Sequence, residues 1–254
     1  MIKFLINKDY QGLESWIHAI PEEMFTVDKV FCKDRNQVVL THFQDKKMVI
    51  KRYKRPTFFN CIVYSFIRKS KPERAFYNAL KLQKKGVDTA TPIAYIVKKR
   101  WGLYDTGWFV SEYLKEPTLK SLCTDMPKED LKKLSYDFAM FSMSLFKKGI
   151  IDKDFNSSNI MVTEEAGNYH FALVDINRME WGKTNLAQQM RTMERLDLKP
   201  MELNVFLSMY ADICKKDLEK CYFFTYWFKI KRRTIVRGRE WLKARFHILK
   251  VCDT

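Results

Sequence analysis

The sequence predicts an α+β chain of two lobes, a strand-rich lobe over residues 1–112 and a helical lobe over residues 113–254. Three observations lead there. Apolar and polar residues alternate in VVLTHF and WFVSEYL, which is the period of half-buried strands. Apolar residues recur at helical spacing in KPERAFYNALKLQKKG and in PKEDLKKLSYDFAMFSMSLFKKG. At 254 residues, 30.5 kDa and 46% apolar content, the chain can bury a sizeable core, which argues against extensive disorder.

In chain order, VDKVFCKDRNQVVLTHF predicts a first hairpin that turns at KDRN without glycine, and MVIKRY, Met48 to Tyr53, a strand bearing Lys51. FFNCIVYSFI, from Phe58 to Ile67, is the longest apolar run, about half of the roughly 20 residues needed to cross a bilayer. It is expected to be a buried helix or strand of the small lobe rather than a membrane-touching segment. After Pro72, apolar residues at Ala75, Phe76, Ala79, Leu80 and Leu82 predict a helix with Glu73 in its first turn and Gly86 near its stop. Strands end near SEYLKEP, Glu112 to Pro117. A helix from about Pro127 to Gly149 follows, with Leu131, Leu134, Phe138, Phe141 and Leu145 on one face. IMV (160–162) and HFALV (170–174) read as strands joined by the turn TEEAGN, and two further helices are expected at about 185–196 and 200–216.

Chemistry concentrates in DKDFNSSNI, Asp152 to Ile160. Asp154 precedes Asn159 by five residues, and Asp175, behind a short apolar run, lies sixteen residues beyond Asn159. Taken alone, Asp and Asn at such spacing close surface turns. With Asp175 at that distance, the layout resembles a kinase catalytic loop and metal-binding strand. The resemblance implies phosphoryl transfer, with Asp154 accepting the proton of the acceptor hydroxyl and Asn159 and Asp175 offering hard oxygen ligands to Mg²⁺. Lys51 resembles the strand lysine that binds the phosphates of ATP, and Glu73 the helix glutamate that pairs with it. A plainer role for Glu73 is its favourable placement at the positive end of a helix dipole. SEYLKEP resembles the hinge that grips adenine through backbone groups, which makes Glu112 a nucleotide-binding candidate.

VIKRY, SKPERAFYNALKLQKKGVDTATPIAY, GIIDKDFNSSNI and LVDINRM together resemble the protein-kinase-like lipopolysaccharide kinases of the Kdo/WaaP family, over about half the chain, from Lys51 to Arg178. That resemblance implies an ATP- and Mg²⁺-dependent kinase acting on a Kdo or heptose sugar linked to lipid A, Kdo being preferred. Lys153 and Arg178 then become candidates to hold acceptor anions. Three residue patterns depart from kinases: no glycine-rich loop, Asp152 where the loop histidine usually stands, and DIN in place of DFG. An aminoglycoside-type small-molecule kinase or a protein kinase shares the same Asp, Asn and Asp set. No A-P-E element follows Asp175, and a cationic acceptor would call for an acidic pocket. A non-catalytic adaptor on a membrane or nucleic acid is the alternative of a different class.

Composition adds the class of partner. Lys plus Arg number 46 against 30 acidic residues, a net charge of +16, which favours polyanions or an anionic membrane face. From Lys220 to Lys250 the chain holds ten Lys or Arg, the single acid Glu240, and eight aromatic residues. Such mixtures favour membrane interfaces. The alternative places Phe223, Trp227, Ile230 and Leu242, Phe246, Leu249 on helix faces packed against the lobe, with the cations solvated. Nucleic acid is disfavoured because no recognised binding motif accompanies the cations. Six scattered cysteines and no signal peptide read as reduced thiols in a cytoplasmic protein, peripheral on the inner membrane.

Overall fold

The computed structural model describes residues 1–33, 36–124 and 126–252, without the side chains of residues 243, 244 and 246–252. Of the expected KDRN turn, Asp34 and Arg35 lie outside the described residues. The chain forms two compact units: residues 1–117 with 159–163 and 171–179, and residues 118–158 with 164–170 and 180–254. The sequence-derived division after Glu112 differs in five residues and in the two returning segments.

The first unit is built on a six-stranded antiparallel sheet. β1 (Ile2–Ile6) is followed by a 3-10 segment, α1 (Glu14–Ala19) and a short 3-10 turn; then come β2 (Lys29–Cys32), β3 (Asn36–Phe43) and β4 (Lys46–Tyr53). After α2 (Phe58–Ile62), a π-turn over Val63–Ile67 leads to α3 (Lys71–Lys84), β5 (Pro92–Arg100) and β6 (Leu103–Glu112). The strand order is β1-β5-β6-β4-β3-β2. Alternation sorts the faces as the strand period requires. Met48, Ile50, Trp108 and Val110 pack with Trp16, Ile17 and Ile20. Tyr53, Tyr95, Val97 and Phe109 pack with Ala75 and Phe76 of α3. Lys51 shares the parity of Tyr53 and so belongs to the α3 face.

α3 starts where the sequence indicates. Ser70 and Glu73 form a capping box, the Ser70 N–H and hydroxyl both donating to Glu73 Oε2, at 2.8 and 2.7 Å. Ala75, Phe76, Ala79 and Leu82 are buried as expected, whereas Leu80 is exposed, being on the far side of the stripe. The helix lies close enough to β6 that a Cβ on Gly107 would stand 2.7 Å from the Ile96 carbonyl oxygen and 2.8 Å from Pro72 Cγ.

In the second unit, α4 (Leu119–Cys123) precedes α5 (Lys128–Lys147), which buries Leu131, Leu134, Phe138 and Leu145. β7 (Ile150–Asp152) pairs with β10 (Met179–Trp181). A separate hairpin pairs β8 (Ile160–Glu165) with β9 (Asn168–Leu173); its residues 160–163 and 171–173 count with the first unit, and residues 164–170 around its turn with the second. The β8–β9 turn tightens to Ala166 and Gly167, both at positive φ, as a two-residue hairpin loop requires. α6 (Leu186–Met193) and α7 (Pro200–Ile213) fall in the expected windows. α8 (Leu218–Cys252) runs for 35 residues.

One expectation and one alternative are overturned. The Phe58–Ile67 run is not a buried segment: Cys61 is buried, but Phe58, Phe59, Phe66 and Ile67 are exposed, because the π-turn breaks the apolar run into two short arcs. In α8 the packed face carries Cys221 and Thr225, fixed by Tyr226 Oη to Asn204 Oδ1 at 2.7 Å and Arg232 Nε to buried Glu194 at 3.0 Å. Phe223, Trp227, Ile230 and Leu242 face outward instead. Phe246 and Leu249 lie outside the described side chains. Among the described residues, no helix is long and apolar enough to cross a membrane.

Candidate active site

Lys51 and Asp175 meet in the first unit, Nζ to Oδ1 at 2.5 Å, with 13% and 32% of their side chains exposed. β4 supplies the lysine; the residues after β9 supply the aspartate. Those residues are anchored at several points. The Thr89 hydroxyl donates to the Leu173 carbonyl at 2.6 Å, and the Leu173 N–H donates to the Asp88 carbonyl at 2.9 Å. Asn78 Nδ2, from α3, donates to the Ile176 carbonyl at 2.7 Å. Asp175 sits at φ 56°, the left-handed region that a non-glycine residue adopts at a cost, and often at functional positions.

Asn159 is brought beside Asp175 by the backbone. The Val174 N–H donates to the Asn159 carbonyl at 2.9 Å, so these two expected oxygen donors occupy neighbouring positions of one unit. Among the described residues, two contacts of the Asp175 carboxylate fall on Oδ1: the Lys51 ammonium, and the Asn177 amide at 2.6 Å. Among the described residues no cluster of three or more His, Cys, Asp or Glu could hold a metal alone. A hard dication here would combine Asn159 and Asp175 with water and phosphate oxygens, which is how Mg²⁺ is ordinarily held. The donor set fits.

Asp154 belongs to the second unit, half-buried in the turn after β7. Buried Asp152 shapes that turn, since its Oδ1 accepts the Asp154 N–H at 2.8 Å, and the Asn156 N–H then donates to the Asp154 carbonyl at 2.6 Å. Asp152 thereby serves as scaffold of the turn that bears Asp154. Exposed Lys153 is ion-paired to Glu180, its partner on β10.

One expected role is corrected. Glu73 does not pair with Lys51: one carboxylate oxygen closes the capping box and the other meets Lys3 Nζ at 3.6 Å, leaving Asp175 as the acid at Lys51. At Glu112, the N–H donates to the Thr91 carbonyl at 2.9 Å and Tyr113 N–H to the Lys47 carbonyl at 3.1 Å, so a backbone grip on adenine would fall to the carbonyls here or to later residues of SEYLKEP. The Glu112 carboxylate accepts the Tyr10 hydroxyl at 2.6 Å. Burial first, and then this bond, hold the Tyr10 phenol above its ordinary pKa.

Sequence reasoning missed Asn78, Asn177 and Tyr53. Asn78 had a signal, as a polar residue on the apolar stripe, three residues after Ala75 and four before Leu82. Asn177, two residues from Asp175, had only local spacing. Tyr53 read as plain core; its ring lies 5.6 Å from Lys51 Nζ, and burial together with the nearby Asp175 pushes its phenol up.

No family model matches the chain. No curated relative matches it either. Among solved structures, WaaP in complex with acyl carrier protein superposes with a TM-score of 0.60 at 13% identity, over 91% of this chain and 98% of that one. The chain therefore has the α+β, protein-kinase-like fold. In all, 1751 solved chains match, a breadth at which fold says nothing about the acceptor.

Proposed function

We propose that the chain is an ATP-dependent kinase that phosphorylates a sugar hydroxyl of an anionic glycolipid, with Kdo of a lipid A precursor preferred over heptose. The observation behind it is the Lys51–Asp175 pair at 2.5 Å beside Asn159, on a backbone held in the left-handed region. A cation and two hard oxygen donors at one place suit a polyphosphate and its counter-ion. Support for the glycolipid comes from the net charge of +16, from the resemblance to the Kdo/WaaP kinases and from the outward rings and cations of α8. Peripheral attachment to the cytoplasmic face of the inner membrane is part of the same proposal. An acyl carrier protein, seen with the solved neighbour, is a further candidate partner.

In this mechanism Lys51 neutralises the α- and β-phosphates and Asp154 orients the acceptor hydroxyl and takes its proton. The acceptor oxygen bonds to the γ-phosphorus as the bond to the bridging oxygen breaks, and ADP leaves with that electron pair. Asn159 and Asp175 would hold Mg²⁺, which would supply charge neutralisation at the phosphates. Asn177 holds the Asp175 carboxylate in orientation, and Asp152 holds the turn bearing Asp154.

The test is transfer of labelled γ-phosphate to Kdo-lipid A with Mg²⁺, compared with heptosylated core, aminoglycoside and protein acceptors. Asp154→Asn should lower kcat by about 10²–10⁴ while the fold persists. Transfer that is absent from every glycolipid, or that is equal in the Asn variant, overturns the assignment.

A further inference from the structure

Between β4 and α3 the chain reads KRPTFFNCIVYSFIRK, Lys54 to Lys69, with no acidic residue. The π-turn in this segment closes through the Arg68 N–H on the Val63 carbonyl at 2.8 Å and buries none of its residues fully. Ser65 in that turn accepts the Tyr104 N–H at 2.7 Å, and Tyr64 meets the Tyr104 ring edge-on at 5.7 Å. Tyr104 follows the β5–β6 turn, where Trp101 stands at the tip with the Arg100 guanidinium 4.6 Å from its ring centre. Two distant segments are thus tied into one end of the first unit. There Phe58, Phe59, Phe66, Ile67 and Trp101 are between 67% and 85% exposed, and Lys54, Arg55, Arg68, Lys69 and Arg100 are exposed with them.

We propose that this double tip is a docking site for an anionic lipid bilayer, placing its rings in the headgroup layer and its cations on lipid phosphates. Large side chains projecting from a short helix and two turns, rather than lining a groove, match an interface that receives protrusions. Among the described residues, Arg55 alone of these cations has an acid beside it, Asp105 at 3.5 Å, so the local charge is strongly positive and complements an anionic surface. Ile67 offers no π-face, so base stacking on single-stranded nucleic acid would waste one of the most exposed apolar groups, whereas lipid accommodates it as readily as a ring. The inference rests on the glycolipid reading for its use, but its physical basis is independent of catalysis.

The test uses the full chain with vesicles that are about one-third phosphatidylglycerol, the rest phosphatidylethanolamine, against pure phosphatidylcholine vesicles. Wild type should sediment with the anionic vesicles, and the triple variant Phe66→Ser, Ile67→Ser, Trp101→Asn should lose about tenfold in partitioning. Asparagine suits the positive φ of Trp101, and that single variant, expected to lose about threefold, keeps the question open to measurement if the triple variant melts early. Unchanged vesicle binding, equal binding to neutral vesicles, or a wild-type dimer that the triple variant abolishes would each overturn the site. Transfer to a water-soluble, deacylated acceptor should be unchanged in the triple variant. If no acceptor is ever phosphorylated, the kinase reading fails while the vesicle result still decides the docking site.

Discussion

Asp175 holds a backbone conformation that costs about 1–3 kcal/mol and spends its Oδ1 on two donors, Lys51 and Asn177. Two single substitutions separate chemistry from architecture at this position. Lys51→Met removes the cation and should lower kcat/KM for ATP by about a hundredfold or more, with a modest change in melting temperature. Glu73→Gln should leave kcat/KM within about threefold, because glutamine also serves the capping box. A large loss of activity in the Gln variant with unchanged stability would restore Glu73 to the role of Lys51 partner. These residues also mark how far the sequence could be read. Asp154, Asn159 and Asp175 stood out by spacing alone, whereas the Lys51–Asp175 contact joins residues 124 positions apart and no local pattern encodes it.

Elements with a clean local period were legible: α3, α5 and the β8–β9 hairpin fall where apolar spacing and turn residues put them. Direction was harder. Phe223, Trp227 and Ile230 describe a helical stripe whichever way it faces, and the structure packs the smaller Cys221 and Thr225 instead, which allow closer approach of neighbouring helices. Likewise an apolar run such as Phe58–Ile67 has no period from which burial can be read. Close approach also governs α3 on the sheet. Gly107→Ala would force its new methyl against the Ile96 carbonyl and Pro72, and should cost about 1–3 kcal/mol, read as a lower denaturation midpoint. An unchanged midpoint would mean that α3 stands farther from β6.

For the whole molecule, the buried phenols and thiols shape the response to pH. Burial pushes the Cys221 thiol up to about 11 and, with a smaller effect of Glu202, the Cys123 thiol up to about 12, while Tyr53, Tyr95, Tyr104 and Tyr210 are also raised. A raised folded-state pKa gives stability that is full below the unfolded value, about 8.5 for Cys and 10 for Tyr, and is lost as pH rises through the folded value. The melting temperature should therefore hold to about pH 8.5 and fall above it, measured by calorimetry in buffers of constant ionic strength. Loss of lysine charge works the other way, relieving the self-repulsion of a +16 chain, so a melting temperature that climbs above pH 9 would mean that repulsion dominates. The interleaving of the two units bears on synthesis. The first unit needs residues 159–163 and 171–179, including Leu173, to which Thr89 and Asp88 are bonded. When the ribosome has made Pro117 it must add about sixty more residues, roughly 3–12 s of elongation, before those partners exist. The strand-rich part is translated first but finished late, and in the interval Asp88, Thr89 and Asn78 wait for the backbone partners that Leu173 and Ile176 supply.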